Sequence, residues 1–117
     1  MIHTQLDVWK KSIELVKEVY LCSKRLPKEE QFELASQMRR AAISIPANIA
    51  EGATRRSTKD YLRFIRISYS SLAELDTYFV LVQELNYIRK EDLPIQLLIS
   101  VRKMLYRLQD SLSKQLV

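Results

Sequence analysis

Seven basic side chains, Arg39, Arg40, Arg55, Arg56, Lys59, Arg63 and Arg66, fall within one quarter of the chain and meet only two acids there, Glu51 and Asp60. That segment carries a net charge of +5, whereas the twelve basic and twelve acidic residues outside it cancel. Guanidinium and ammonium groups clustered on helix surfaces neutralise phosphates, and counterion release then supplies affinity independent of base sequence. The chemistry this set fits is polyanion binding, nucleic acid and structured RNA first. The competing use is a solvated face that aids solubility, with Arg55 and Arg56 interacting with the carbonyls of a helix C-terminus.

A second group is polar and uncharged in part. Gln37, Ser44, Asn48 and Glu51 recur at spacings of 7, 4 and 3, one stripe of a helix, with Glu74 on a later helix as a partner. Two carboxylates could form an acid–base pair or a metal site. Carboxylate-bridged metals in helical bundles draw on Glu-x-x-His motifs, and His3 is the sole histidine. Ser70 and Ser71 lack a histidine base, and the sole cysteine, Cys22, has no local feature that would depress its pKa. The stripe therefore reads as an interhelical or intersubunit hydrogen-bond network, with Glu51 paired to Arg40 or Arg55. The expectation is a non-enzymatic protein without cofactor or metal. Tyr61, Phe64, Tyr69, Tyr78 and Phe79 read as core packing in preference to base stacking, and Trp9 as a core anchor.

The elements that must carry these groups are helical. One Gly and three Pro in 117 residues leave little hairpin chemistry, and the length fits one domain over 1–117. Trp9, Ile13, Val16 and Tyr20 trace the apolar stripe of a first helix, which Leu26-Pro27 ends. Pro27 with Lys28-Glu29-Glu30 suits the start of a second helix, whose core stripe is Leu34, Met38, Ala41, Ala42, Ile45, Ile49 and Gly52. Pro46 predicts a kink in it and Gly52 its termination. Ile43, Ala47 and Ala50 occupy another side of the same helix, a face expected to pack against a second subunit.

Ser57 followed by Asp60 resembles a capping box and opens the third helix. Its seam, Tyr61, Ile65, Ser68, Leu72, Leu75, Phe79 and Val82, alternates spacings of 4 and 3, with Lys59, Arg63 and Arg66 facing outward. After the short connection Asn86-Tyr87-Ile88, Leu97, Val101, Met104, Leu105, Leu108 and Leu112 stripe a fourth helix that starts around Lys90–Leu93. Four amphipathic helices with short connections predict an all-α, up-down-up-down antiparallel four-helix bundle. No apolar run is long enough to span a bilayer, and without a signal-peptide pattern the expected location is cytoplasmic.

The strings LDVWKKSIELVKEVY and LPKEEQFELASQMRRAAISIPANIAEGATRRSTKDYLRFIRISYSSLAELDTYFVLVQELNYI resemble, in order, the four-helix-bundle family named for proteins encoded in 23S rRNA intervening sequences. The resemblance runs from about Leu6 to Leu112 and is most specific from Gln37 to Ser57, above all in SIPANIAEG at Ser44 to Gly52. It implies a left-handed bundle that assembles as a homopentamer, with no enzymatic activity. A related branch comprises accessory proteins of diversity-generating retroelements, where a basic pentamer engages a reverse transcriptase and nucleic acid. The implied partners are thus RNA or another nucleic acid, or an acidic protein such as a reverse transcriptase to which the ring acts as adaptor. Tyr69 departs from the pattern, which usually has a small residue there.

Overall fold

Asp7 to Ser23 satisfies its own backbone as a first helix, α1 (Asp7–Ser23), in a computed structural model that describes residues 3–116. A 3-10 turn at His3–Gln5 precedes it. The side it buries is one position round from the expected stripe: Val8, Ser12, Leu15, Val19 and Cys22 point inward, while Trp9 and Val16 pack at the margin and Tyr20 is 40% exposed. Both stripes alternate 4 and 3, so periodicity alone does not choose between them. Ser12 is acceptable inside because its hydroxyl donates to the Trp9 carbonyl at 2.7 Å, leaving no unpaired polar group.

Pro27 opens a 3-10 turn, Lys28–Glu30, and not yet the second helix. The helix α2 (Leu34–Ala53) starts later, after Glu33 takes a non-helical conformation at φ −108°, ψ −94°. The delay has a cause in hydrogen bonding. Gln31 turns back and donates through Nε2 to the carbonyls of Ser23 and Leu26, at 3.0 and 2.9 Å, where α1 stops; the Ser23 carbonyl also accepts from the Leu26 amide at 3.2 Å. Along α2 the predicted core positions Met38, Ala41, Ala42, Ile45, Ile49 and Gly52 are buried, joined by Ala35 and Pro46, and the helix continues through Pro46.

The third helix, α3 (Thr58–Glu84), has 27 residues and is about 40 Å long at 1.5 Å per residue, most of the 47 Å length of the molecule. Ser57 caps it as expected: its hydroxyl accepts from the Asp60 amide at 3.1 Å. The buried seam is Leu62, Ile65, Ser68, Leu72, Leu75, Phe79 and Val82, with Tyr61 at its edge. Asn86, at φ 60°, makes the left-handed turn out of α3. A 3-10 turn at Lys90–Asp92 and Pro94 then delay α4 (Ile95–Lys114), which buries Leu98, Val101, Leu105 and Leu112.

Four helices thus pack as a bundle around one apolar core. α1 lies against α2 and α4, α3 against α2 and α4, and the α2–α3 contact is the most extensive. Gly52 meets Tyr61 and Phe64, the Ile45 carbonyl meets Ser68, and Ser44 meets Ser71, an order that makes α2 and α3 antiparallel. Arg25, beyond the end of α1, pairs with Asp92 ahead of α4 at 2.9 Å. No described helix is long and apolar enough to cross a membrane.

Candidate functional site

The corner between α2 and α3 gathers most of the excess charge. Arg55 and Arg56 lie in the turn, and Lys59, Arg63 and Arg66 project from the first turns of α3, all exposed. Gly52 sets the spacing of this corner. The helix α2 ends at Ala53, as expected, but Gly52 is itself helical, without the positive φ of a left-handed cap. A Cβ there would stand 2.9 Å from Tyr61 Cδ1, 3.1 Å from Phe64 Cβ and 3.2 Å from the Tyr61 carbonyl oxygen. Hydrogen at this position lets the start of α3 lie directly on α2.

Phe64, half-buried by that close approach, becomes a platform for two cations. The guanidinium of Arg55 lies 4.6 Å from its ring centre and that of Arg63 4.4 Å. Each contact is worth about 0.5–1 kcal/mol at an exposed site. A carboxylate steadies each head as well: Arg55 Nη2 to Glu51 Oε2 at 2.9 Å, and Arg63 Nε to Asp60 Oδ1 at 3.7 Å. These exposed pairs add little to stability. Arg56, Lys59 and Arg66 have no acidic partner within salt-bridge distance among the described residues, so their charge is the least compensated.

A groove of about 900 Å³ opens beside the corner, between the first half of α3 and the end of α4. Lys59, Arg63 and Arg66 line it together with Leu62, Ile67 and Leu116. Its floor is apolar and its rim cationic.

The other two predicted cations lie elsewhere. Arg39 sits about 20 Å along α2 from the corner and is built into the α1–α2 junction. It donates to Ser23 Oγ and Gln31 Oε1, both at 2.9 Å, and its guanidinium lies 5.5 Å from the Tyr20 ring centre. Arg40 lines a small polar groove between α2 and α3, about 360 Å³, with Gln37, Ser44, Ser71 and Glu74. Here much of the predicted polar stripe comes together. Ser44 and Ser71 hydroxyls lie 2.7 Å apart across the helices, and Asn48 Nδ2 donates to the Ser44 hydroxyl at 2.9 Å. Glu51 leaves this group for Arg55.

Ile43, at 42% exposure, Ala47, exposed, and Ala50, half-buried, stand on the side of α2 away from the core. Ser70 and Ser71 donate to the carbonyls of Arg66 and Ile67 in their own helix. Cys22 is buried, and burial pushes its thiol up to about 11. Among the described residues no three His, Cys, Asp or Glu side chains converge as metal ligands. Sequence reasoning missed Phe64 as the platform, Ser71 as the partner of Ser44, and Ser23 and Gln31 as partners of Arg39. Only Phe64 had a local signal, its place directly after Arg63.

The family model described as 23S rRNA-intervening sequence protein matches residues 4–107. No curated protein matches the chain.

Proposed function

The chain belongs to the 23S rRNA-intervening sequence protein family, and on that premise we propose that it is a non-catalytic, homo-oligomeric bundle that binds structured RNA through the α2–α3 corner. One observation carries this reading: Arg55, Arg56, Lys59, Arg63 and Arg66 share one exposed corner, and the acids beside them are Glu51 and Asp60. Cations held this close neutralise neighbouring phosphates together, and several copies in a ring would add their fields. A pentamer is the assembly that the family resemblance implies. Ile43, Ala47 and Ala50 form its contact face, an apolar and small-residue strip that the protomer leaves exposed at Ile43 and Ala47 and half-covered at Ala50.

Fluorescence anisotropy with structured RNA, single-stranded RNA and duplex DNA, at low and near-physiological salt, tests the proposal. Affinity for RNA should fall steeply with salt. Lys59→Ala/Arg66→Ala should weaken binding and flatten the salt slope by roughly one per lost phosphate contact, with helicity unchanged. Absence of binding to all three at low salt would overturn this reading. An acidic protein partner, such as a reverse transcriptase to which the bundle serves as adaptor, would then be the occupant to seek.

A further inference from the structure

Arg63 belongs to two adjoining features. Its guanidinium lies 4.4 Å from the Phe64 ring centre, and its side chain also lines the groove between α3 and α4. We infer that this groove seats an unpaired nucleotide, so that the corner prefers RNA with unpaired bases to continuous duplex. The inference rests on the RNA reading above and names the part of an RNA that the site takes.

Shape and charge both point to this occupant. The groove, about 900 Å³, has room for a base with its sugar and phosphate. Leu62, Ile67 and Leu116 offer an apolar floor, and Ile67 is 39% exposed without a described partner covering it. Lys59 and Arg66 stand at the rim, where a backbone phosphate would follow the base, and Asp60 on the same rim is already engaged by Arg63. A base is the ligand group that needs both surfaces: a flat apolar face joined to an anion.

Continuous A-form duplex cannot use the floor. Its bases are stacked inside, and its major groove is too deep and narrow for side chains, so only phosphates and the shallow groove are presented. A loop or single strand can turn a base outward against Ile67 and the planar guanidinium of Arg63. Phe64 lies against that guanidinium before anything binds, which lowers the ordering cost of recognition. Lysine at position 63 would keep the charge and lose the plane.

The test compares two labelled RNAs with equal numbers of phosphates, a hairpin with a long unpaired loop and a blunt duplex, at one near-physiological salt concentration. The proteins are the full chain and its Arg63→Lys and Ile67→Asn variants, matched for helicity by circular dichroism. The wild type should bind the hairpin about tenfold more tightly, the scale of one stacked base. Ile67→Asn should bring hairpin and duplex within about twofold of each other while leaving duplex affinity unchanged, and Arg63→Lys should weaken hairpin binding more than duplex binding. Equal wild-type affinities, or a preference that survives both substitutions, would overturn the inference and leave RNA binding standing. Failure to bind either RNA would remove the functional proposal itself, and this inference with it.

Discussion

Gly52 in α2 lies so close to Tyr61 in α3 that a Cβ on the glycine would stand 2.9 Å from Tyr61 Cδ1 and 3.2 Å from its carbonyl oxygen. The tyrosine ring can swing, but the backbone carbonyl can move only with the start of α3. The SIPANIAEG string thus ends in a residue chosen for helix separation, and the cationic corner inherits its shape from that choice.

Gly52→Ala is therefore expected to destabilise the bundle. Alanine favours a helix interior by about 1 kcal/mol, whereas overpacking costs about 1–3 kcal/mol. The net loss should be about 1 kcal/mol, seen as a lower urea midpoint with an unchanged slope. A gain in stability would mean that the two helices part freely, and that their close approach is not a constraint.

Arg39 and Arg66 should behave oppositely although both belong to the same basic set. Arg39→Ala removes donors from Ser23 and Gln31, at 2.9 Å each, and should cost about 2 kcal/mol of stability with RNA affinity within about twofold of wild type. Arg66→Ala should leave the denaturation midpoint in place and weaken RNA binding at low salt. Equal effects of the two on RNA affinity would count against confining the site to the α2–α3 corner.

The Ser44–Ser71 contact, 2.7 Å between hydroxyls, links the middle of α2 and α3 side chain to side chain, beside the Ser68 hydroxyl that donates to the Ile45 carbonyl at 2.9 Å. A double-mutant cycle of Ser44→Ala and Ser71→Ala should give a coupling energy of about 0.5–1.5 kcal/mol. Additive single effects would show that each hydroxyl is satisfied by its own helix, as Ser71 is through the Ile67 carbonyl at 3.1 Å.

Cys22 gives a prediction with a definite sign. Its thiol is raised from 9.0 to about 11 by burial, so the folded state retains a proton that the unfolded state loses. The associated stability is complete below pH 9 and is lost as pH rises through about 11, by up to roughly 2–3 kcal/mol. Burial raises Tyr61 as well, which adds a loss of the same sign at alkaline pH. Urea midpoints measured from pH 8 to 11 should fall, and less so in Cys22→Ala; an identical decline in both proteins would assign the effect to other groups.

Ala47→Trp tests the proposed assembly. Ala47 is exposed on the protomer, so a large ring there should leave helicity intact while reducing the mass in solution to that of one 13.8 kDa chain. A wild-type protein that is already monomeric would remove the ring.

The sequence by itself determined the number and kind of elements, and much of what they bury. In α2 and α3 the predicted core positions from Met38 through Gly52 and from Ile65 through Val82 are buried. Ser57 capped α3 because a hydroxyl three residues before an amide is a local device. Where two solutions were equally periodic, only the tertiary structure decided. Neighbouring helices select the Val8–Leu15–Val19 side of α1 over Trp9–Ile13–Tyr20, because burial is a property of the whole packed surface. The same holds for the charges. Spacing gathers Arg39 with Arg66 in one segment, whereas folding sends Arg39 to Ser23 and brings Arg55 and Arg63 onto Phe64. Ser23 is distant from Arg39 in sequence and Arg55 reaches Phe64 across a turn, and no helical period records either pairing.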